Sequence, residues 1–260
     1  MNYWTQLSIE YANQRNYLDE LFKVYPLAPE GVRDIDRNQW DMVEAAYHSQ
    51  DKEELLRSLL KLKLFPIKDS YVAYLRHDAA AMTRNPSTVS RLCGRLYEIG
   101  LNGIYERCSE PKETNRQIGP LFRRWLQEKT LGVGLLGIEE FLATDRNAIL
   151  DASETELTHF AQERLNYSRP KELDFVGRFN GKYIIGEAKF LTDFGGHQNA
   201  QFEDAMATLK VKNVKAITVA ILDGVLYIEG GDKMHQAVLK YAKKYNILSA
   251  LLLREFLYQV

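Results

Sequence analysis

The residues best equipped for chemistry are Asp174, Glu187 and Lys189, which stand in a stretch otherwise rich in apolar side chains, Leu173, Phe175, Val176, Tyr183, Ile184, Ile185 and Phe190. Glu187 and Lys189 are two positions apart and share one face of an extended strand. Charged groups in apolar strands are costly unless they pair or hold a cation. Two readings follow. Lys189 can form a salt bridge with an acid on the neighbouring strand. Alternatively, Asp174, Glu187 and the carbonyl of Ala188 can hold Mg²⁺, which takes one or two carboxylates together with water and phosphate oxygens. In the second reading the chemistry is phosphodiester hydrolysis, and Lys189 orients the attacking water and offsets transition-state charge. Lys189 lies one pleat beyond Glu187, so it is expected not to serve both acids fully.

These side chains need two paired strands to position them. Asn180-Gly181 supplies the turn, because both central positions of a tight hairpin require positive φ. Ser153 followed by Glu156 is a capping box that opens a helix to about Leu165. Beyond the hairpin, Phe202, Ala205, Met206 and Leu209 mark a helix, and the apolar run Val214–Leu222 marks a strand buried on both faces. Asp223-Gly224 then reads as a turn into a strand from Val225 to Ile228. Lys233–Tyr245 reads as a helix and Ile247–Leu253 as a last buried strand. The C-terminal part is therefore expected to be α/β (α+β): a mixed β-sheet flanked by helices.

The first 65 residues read as helices, one of them opened by Asp51 with Glu54 three positions on. A helical piece over Tyr71–Ala81 is followed by Asn85 as N-cap, Pro86 at the first helical position, and a helix to Ile99 stopped by Gly100. This is a helix-turn-helix outline. Ser87, Thr88, Arg91 and Arg95 lie on its exposed face, with Arg84 just before, a composition suited to a DNA major groove. An ordinary helical hairpin with a solvated basic face fits the same pattern. The polar connector near residue 110 divides a helical region, 1–110, from the remainder, 111–260. Lys112, Asn115 and Arg116 in it can contact phosphates or simply be solvated.

A net charge of −1 gives no overall polyanion signal but leaves room for a local basic surface. The two cysteines, Cys93 and Cys108, form neither a disulfide framework nor a metal-ligand spacing, so a reducing cytoplasm is expected. No leader or membrane-length apolar run is evident. A nucleotide-binding glycine motif and a nucleophile elbow are also absent, which argues against a small-molecule α/β enzyme.

Asp174, a gap of twelve residues and then Glu187-Ala188-Lys189 resembles the proline-Asp…Asp/Glu-x-Lys motif of the PD-(D/E)xK nucleases, with Pro170 four residues before Asp174. The longer run from Ile185 to Phe202, and the segment Asn115-Arg-Gln-Ile-Gly-Pro-Leu-Phe122, are similar to type II restriction endonucleases of that superfamily. The resemblance covers roughly residues 84–210. It implies a restriction-endonuclease-like core and a homodimeric, Mg²⁺-dependent enzyme that cuts double-stranded DNA at a short site. Asp174 and Glu187 become metal ligands and Lys189 the catalytic lysine. Gln198 matches a glutamine often found near such sites, and Glu163 is a candidate for an extra acid on a preceding helix. It also favours Arg84, Ser87, Thr88, Arg91 and Arg95 as DNA readers. Two other functions share parts of this pattern: a repair or junction-resolving nuclease, and a non-catalytic DNA-binding regulator with a nuclease-like domain.

Overall fold

The computed structural model describes residues 2–14, 16–26, 33–110, 118–230 and 233–260. The chain forms two compact units, one of Met1–Leu27 with Thr114–Val260 and one of Ala28–Glu113. In chain order the helices are α1 (Tyr3–Ala12), α2 (Tyr17–Val24), α3 (Arg37–His48), α4 (Lys52–Lys61), α5 (Ser70–His77), α6 (Ala81–Arg84) and α7 (Pro86–Cys108). Then follow α8 (Ile118–Gln127), β1 (Leu135–Leu136), α9 (Ile138–Ala143), β2 (Ala148–Leu150), α10 (Glu154–Leu165), β3 (Phe175–Phe179) and β4 (Lys182–Leu191). The last elements are α11 (Gly196–Leu209), β5 (Ile217–Gly224), α12 (Lys233–Tyr241), β6 (Asn246–Leu248) and α13 (Leu253–Gln259).

The unit Ala28–Glu113 is helical and closes on its own core, in which Val43, Leu55, Leu56, Leu59, Leu92, Cys93, Leu96 and Ile104 are buried. Asp51 caps α4 through the Glu54 amide, as its spacing predicts. Pro86 opens α7, but the Asn85 side chain donates to the Ala81 carbonyl instead of capping. The helix that Pro86 opens breaks at Gly100, which takes φ 75° and ψ 159°, and a second helical stretch follows the bend to Cys108. Ile104 and Cys108 are buried beyond the bend, so packing carries the helix on.

In the other unit the six strands form one mixed sheet in sequential order. The β1–β2, β4–β5 and β5–β6 pairs are parallel, and β2–β3 and β3–β4 antiparallel. Asn180 (φ 50°) and Gly181 (φ 73°) make the predicted turn between β3 and β4. Helices cover both faces. Phe175, Ile184, Ala188, Val219 and Ile221 pack towards α2, α8 and α13. Leu191, Ala220 and Leu222 pack towards α11 and α12.

Three expectations change. Residues 1–27 belong to the sheet unit and not to the helical region, because α1 is fastened to β6. Thr5 donates to the Ile247 carbonyl at 2.7 Å, and the Ser249 amide donates to Ser8 at 2.9 Å. Asp223 and Gly224 extend β5 and do not turn it, and Val225–Tyr227 is a 3-10 turn. Gly224 sits at φ 103°, where a Cβ would lie 2.0 Å from the Leu191 carbonyl oxygen, so only glycine permits this strand end. Finally, β6 ends at Leu248, since Ser249 caps a following turn and α13 buries Leu253, Phe256 and Leu257.

Candidate active site

The two strands of the hairpin differ in length, and that difference opens the site. Pairing with β3 ends where Phe175 meets Gly186, while β4 continues alongside β5 to Leu191. The far half of β4 is therefore left without a backbone partner on the β3 side. Asp174 fills part of the gap. Its amide donates to the Gly186 carbonyl at 3.1 Å, and its Oδ2 accepts from the Ala188 amide at 2.8 Å. A cleft of about 240 Å³ lies here, bounded by Asp174, Ala188, Lys189, Gln201, Glu154 and the first turn of α8.

Lys189 donates to Asp174 Oδ2 at 2.7 Å, and its Nζ also lies 3.6 Å from Glu187 Oε2. The ammonium thus hydrogen-bonds Asp174 and stands near Glu187 without bonding it, so it does not serve both acids fully. The strand pleat sets the position of Cα, but a stem of four methylenes reaches back past it. Burial works against a charged Lys189, yet the Asp174 and Glu187 charges outweigh it and raise its pKa, so the ammonium stays protonated.

Glu187 has no exposed surface. Burial pushes its carboxyl above the usual range, and the nearby Lys189 charge and the Thr208 hydrogen bond offset part of that rise. Its Oε1 accepts from the Thr208 hydroxyl and lies 3.6 Å from Arg169 Nη1. Its Oε2 is buried and has no hydrogen-bond partner among the described residues. A buried carboxylate oxygen left without a donor is unusual, and a cation beside Asp174 and Ala188 would satisfy it. The donor set therefore fits a divalent ion.

One acid escaped sequence reasoning. Glu154, the first residue of α10, lines the cleft, where partial burial and the Asp174 charge push its carboxyl up. The capping box fixes where α10 begins, but not that its first turn faces the hairpin. Gly119 leaves room for this carboxylate: a Cβ there would meet Glu154 Oε1 at 3.3 Å. Glu163 instead is exposed and faces His159 at 3.5 Å. Gln198 is buried, with its Oε1 accepting from the Thr192 amide at 3.3 Å, while Gln201 one turn later lines the cleft. His197 lies 3.2 Å from Gln201.

In the helical unit Arg84 is exposed and paired with Asp78. Ser87 is exposed and Thr88 half-buried. Arg91 donates to Asp69 at 2.6 Å and lies over the Tyr71 ring at 5.5 Å. Arg95 is exposed and has no ion pair among the described residues. Lys112, Asn115 and Arg116 lie outside the described residues.

A mixed sheet flanked by helices, with an Asp and a Glu-x-Lys meeting at a strand end, defines a restriction-endonuclease-like protein. The model of the Tsp45I type II restriction enzyme family matches residues 2–260, and the chain belongs to that family. No curated protein and no solved structure matches it. Family membership makes the chain a site-specific DNA endonuclease of a restriction system. Among the described residues, no helix is long and apolar enough to cross a membrane.

Proposed function

We propose that the chain is a type II endonuclease of the cytoplasm that works as a homodimer and requires Mg²⁺. It hydrolyses both strands of duplex DNA at a short sequence and leaves 5′-phosphate and 3′-hydroxyl ends. The observation that carries the metal-dependent reading is the orphaned Glu187 Oε2 beside Asp174 and Lys189. Asp174, Glu187 and the Ala188 carbonyl would hold the ion, which when bound polarises the phosphoryl group and makes water a better nucleophile. Lys189, kept protonated by the two acids, donates hydrogen bonds to the attacking water and to the phosphoryl oxygens as negative charge builds. Glu154 adds a further carboxylate to the cleft lining, available to hold water or accept a proton. Arg91 and Arg95, with Arg84, Ser87 and Thr88, supply base and backbone contacts from the helical unit, where guanidinium pairing to guanine is the expected contact. Lys112, Asn115, Arg116 and Gln198 remain candidates for DNA contact; of these, Gln198 has the weakest support, since its side chain is turned to Thr192.

The test is digestion of DNA of known sequence in Mg²⁺, with the fragment ends sequenced. Discrete fragments with 5′-phosphates are expected, and Asp174→Ala should bind the same DNA without cutting it. Cutting by that variant at a near-normal rate refutes the assignment. Site-specific binding without cleavage in both Mg²⁺ and Mn²⁺ identifies a DNA-binding regulator instead. Structure-selective nicking identifies a repair or junction nuclease.

A further inference from the structure

We propose that Thr208 and Arg169 are positioning residues that lock the Glu187 carboxylate so that one oxygen, Oε2, faces the ion site; this rests on the metal-site reading above. Thr208 is fully buried on α11, directly behind β4. Its hydroxyl donates to Glu187 Oε1. The same hydroxyl oxygen accepts from Arg169 Nη1 at 2.6 Å. A guanidinium only donates, and a hydroxyl has one proton. The Arg169 bond takes a lone pair of the Thr208 oxygen and leaves its proton for Glu187, a carboxylate that only accepts and that lies nearer than the Tyr167 hydroxyl at 3.4 Å. Arg169 is itself anchored, donating to the Asp204 carbonyl at 3.0 Å, with its Nη2 3.8 Å from the Asp204 carboxylate.

The chain Arg169 to Thr208 to Glu187 ties down one carboxylate oxygen. The other has no donor, and its nearest cation is Lys189 at 3.6 Å. A carboxylate held in this way presents a single oxygen in a fixed direction and does not rotate to offer both. Partners of this kind behind a metal ligand set its orientation, and their loss typically weakens ion binding by about 10- to 100-fold. Packing alone would not need a hydroxyl here, since valine has the same shape. Neither residue touches the cleft, so neither is a catalytic residue.

The experiment measures Mn²⁺ binding to the DNA-free protein by electron paramagnetic resonance of the free ion. The variants are Thr208→Val, Thr208→Ser and Arg169→Met, with Glu187→Gln as reference. Thr208→Val and Arg169→Met should weaken Mn²⁺ binding by about 10- to 100-fold, while Thr208→Ser, which keeps the donor, should bind within about threefold of the parent. The Mn²⁺ concentration for half-maximal cleavage should rise in step, with DNA affinity in EDTA unchanged. If Glu187→Gln loses the ion but both Thr208→Val and Arg169→Met keep it, the positioning role is refuted and the metal site stands. If Glu187→Gln binds Mn²⁺ as the parent does, the metal-site reading itself fails. Arg169 is partly exposed, so Arg169→Met keeps the test decisive if the buried Thr208→Val does not fold.

Discussion

Replacing Lys189 by Met removes its charge while keeping most of its apolar stem. In the parent protein Nζ lies 2.7 Å from Asp174 Oδ2 and 3.6 Å from Glu187 Oε2. At an effective dielectric constant of about 20, each contact attracts by about 5 kcal/mol, and dehydration of the three groups offsets much of the sum. Removing one partner of a buried pair typically destabilises by about 3–5 kcal/mol, because the remaining charge is left buried alone. Here the Asp174 and Lys189 side chains keep 12% and 21% of their surface exposed, so the lower end, about 3 kcal/mol, applies. For a protein of this size that lowers Tm by about 6–12 °C in EDTA. A divalent ion should restore more stability to Lys189→Met than to the parent, since it need not displace an ammonium from between the acids. Circular-dichroism melts of both proteins, in EDTA and in Mg²⁺, measure this. Equal Tm values in EDTA would refute the view that Lys189 holds the two acids together. Equal shifts on adding Mg²⁺ would refute competition for one place.

Two further outcomes follow from the geometry. Asp223 is fully buried, and burial pushes its carboxyl up to about 6 from 3.8, although Ser249, the Ala250 amide, Tyr25 and Tyr17 all donate to it. The native state therefore holds a proton between about pH 4 and 6 that the unfolded chain has lost, so this group adds stability as pH falls through that window. At about 1.4 kcal/mol per pH unit its contribution is on the order of 3 kcal/mol. The gap between the melts of the parent and Asp223→Asn should accordingly change from pH 7 to pH 4.5, and a constant gap would count against it. In the helical unit, Arg91→Ala should weaken binding to the cognate duplex by about 1–3 kcal/mol, roughly 5- to 150-fold, and relax preference at one base pair. Asp69→Ala, which frees the guanidinium, should give part of that loss in gel-shift titrations without metal; an unchanged ratio of cognate to non-cognate affinity in Arg91→Ala would exclude base reading by Arg91.

Local signals were legible wherever a residue type has few conformational uses. Asn180-Gly181 dictated the hairpin, Ser153 with Glu156 dictated the start of α10, and the β4–β5 core followed from uninterrupted apolar runs. What failed to show depended on distant partners. Asp223-Gly224 looks like a turn until Tyr17 and Tyr25 at the two ends of α2, and Ser249 after β6, supply donors that let the acid sit inside. Residues 1–27 read as more helix; their bonds to β6 and Asp223 and the packing of Ile9, Leu21 and Val24 against the sheet core assign them to the sheet unit. Gln198 and Gln201 are one helical turn apart and indistinguishable by period. The first is drawn back to Thr192 at the end of β4, and the second is left facing the cleft.

The arrangement around Glu187 accords with the proposed metal-dependent reading. An unpaired buried oxygen costs about 1–3 kcal/mol, a large share of the 5–15 kcal/mol by which a typical domain is stable. A glutamine or an apolar residue would avoid burying that charge. The chain does the reverse: it secures Oε1 with Thr208 and Arg169 and leaves Oε2 bare beside a lysine. In the free protein the Lys189 ammonium partly neutralises both acids and keeps β4 and Asp174 together. In the proposed enzyme a bound divalent ion would supply that neutralisation. Lys189 would then be free to face the cleft, where charge develops during hydrolysis. The same three residues would thus hold the metal-free site together and become available for the reaction.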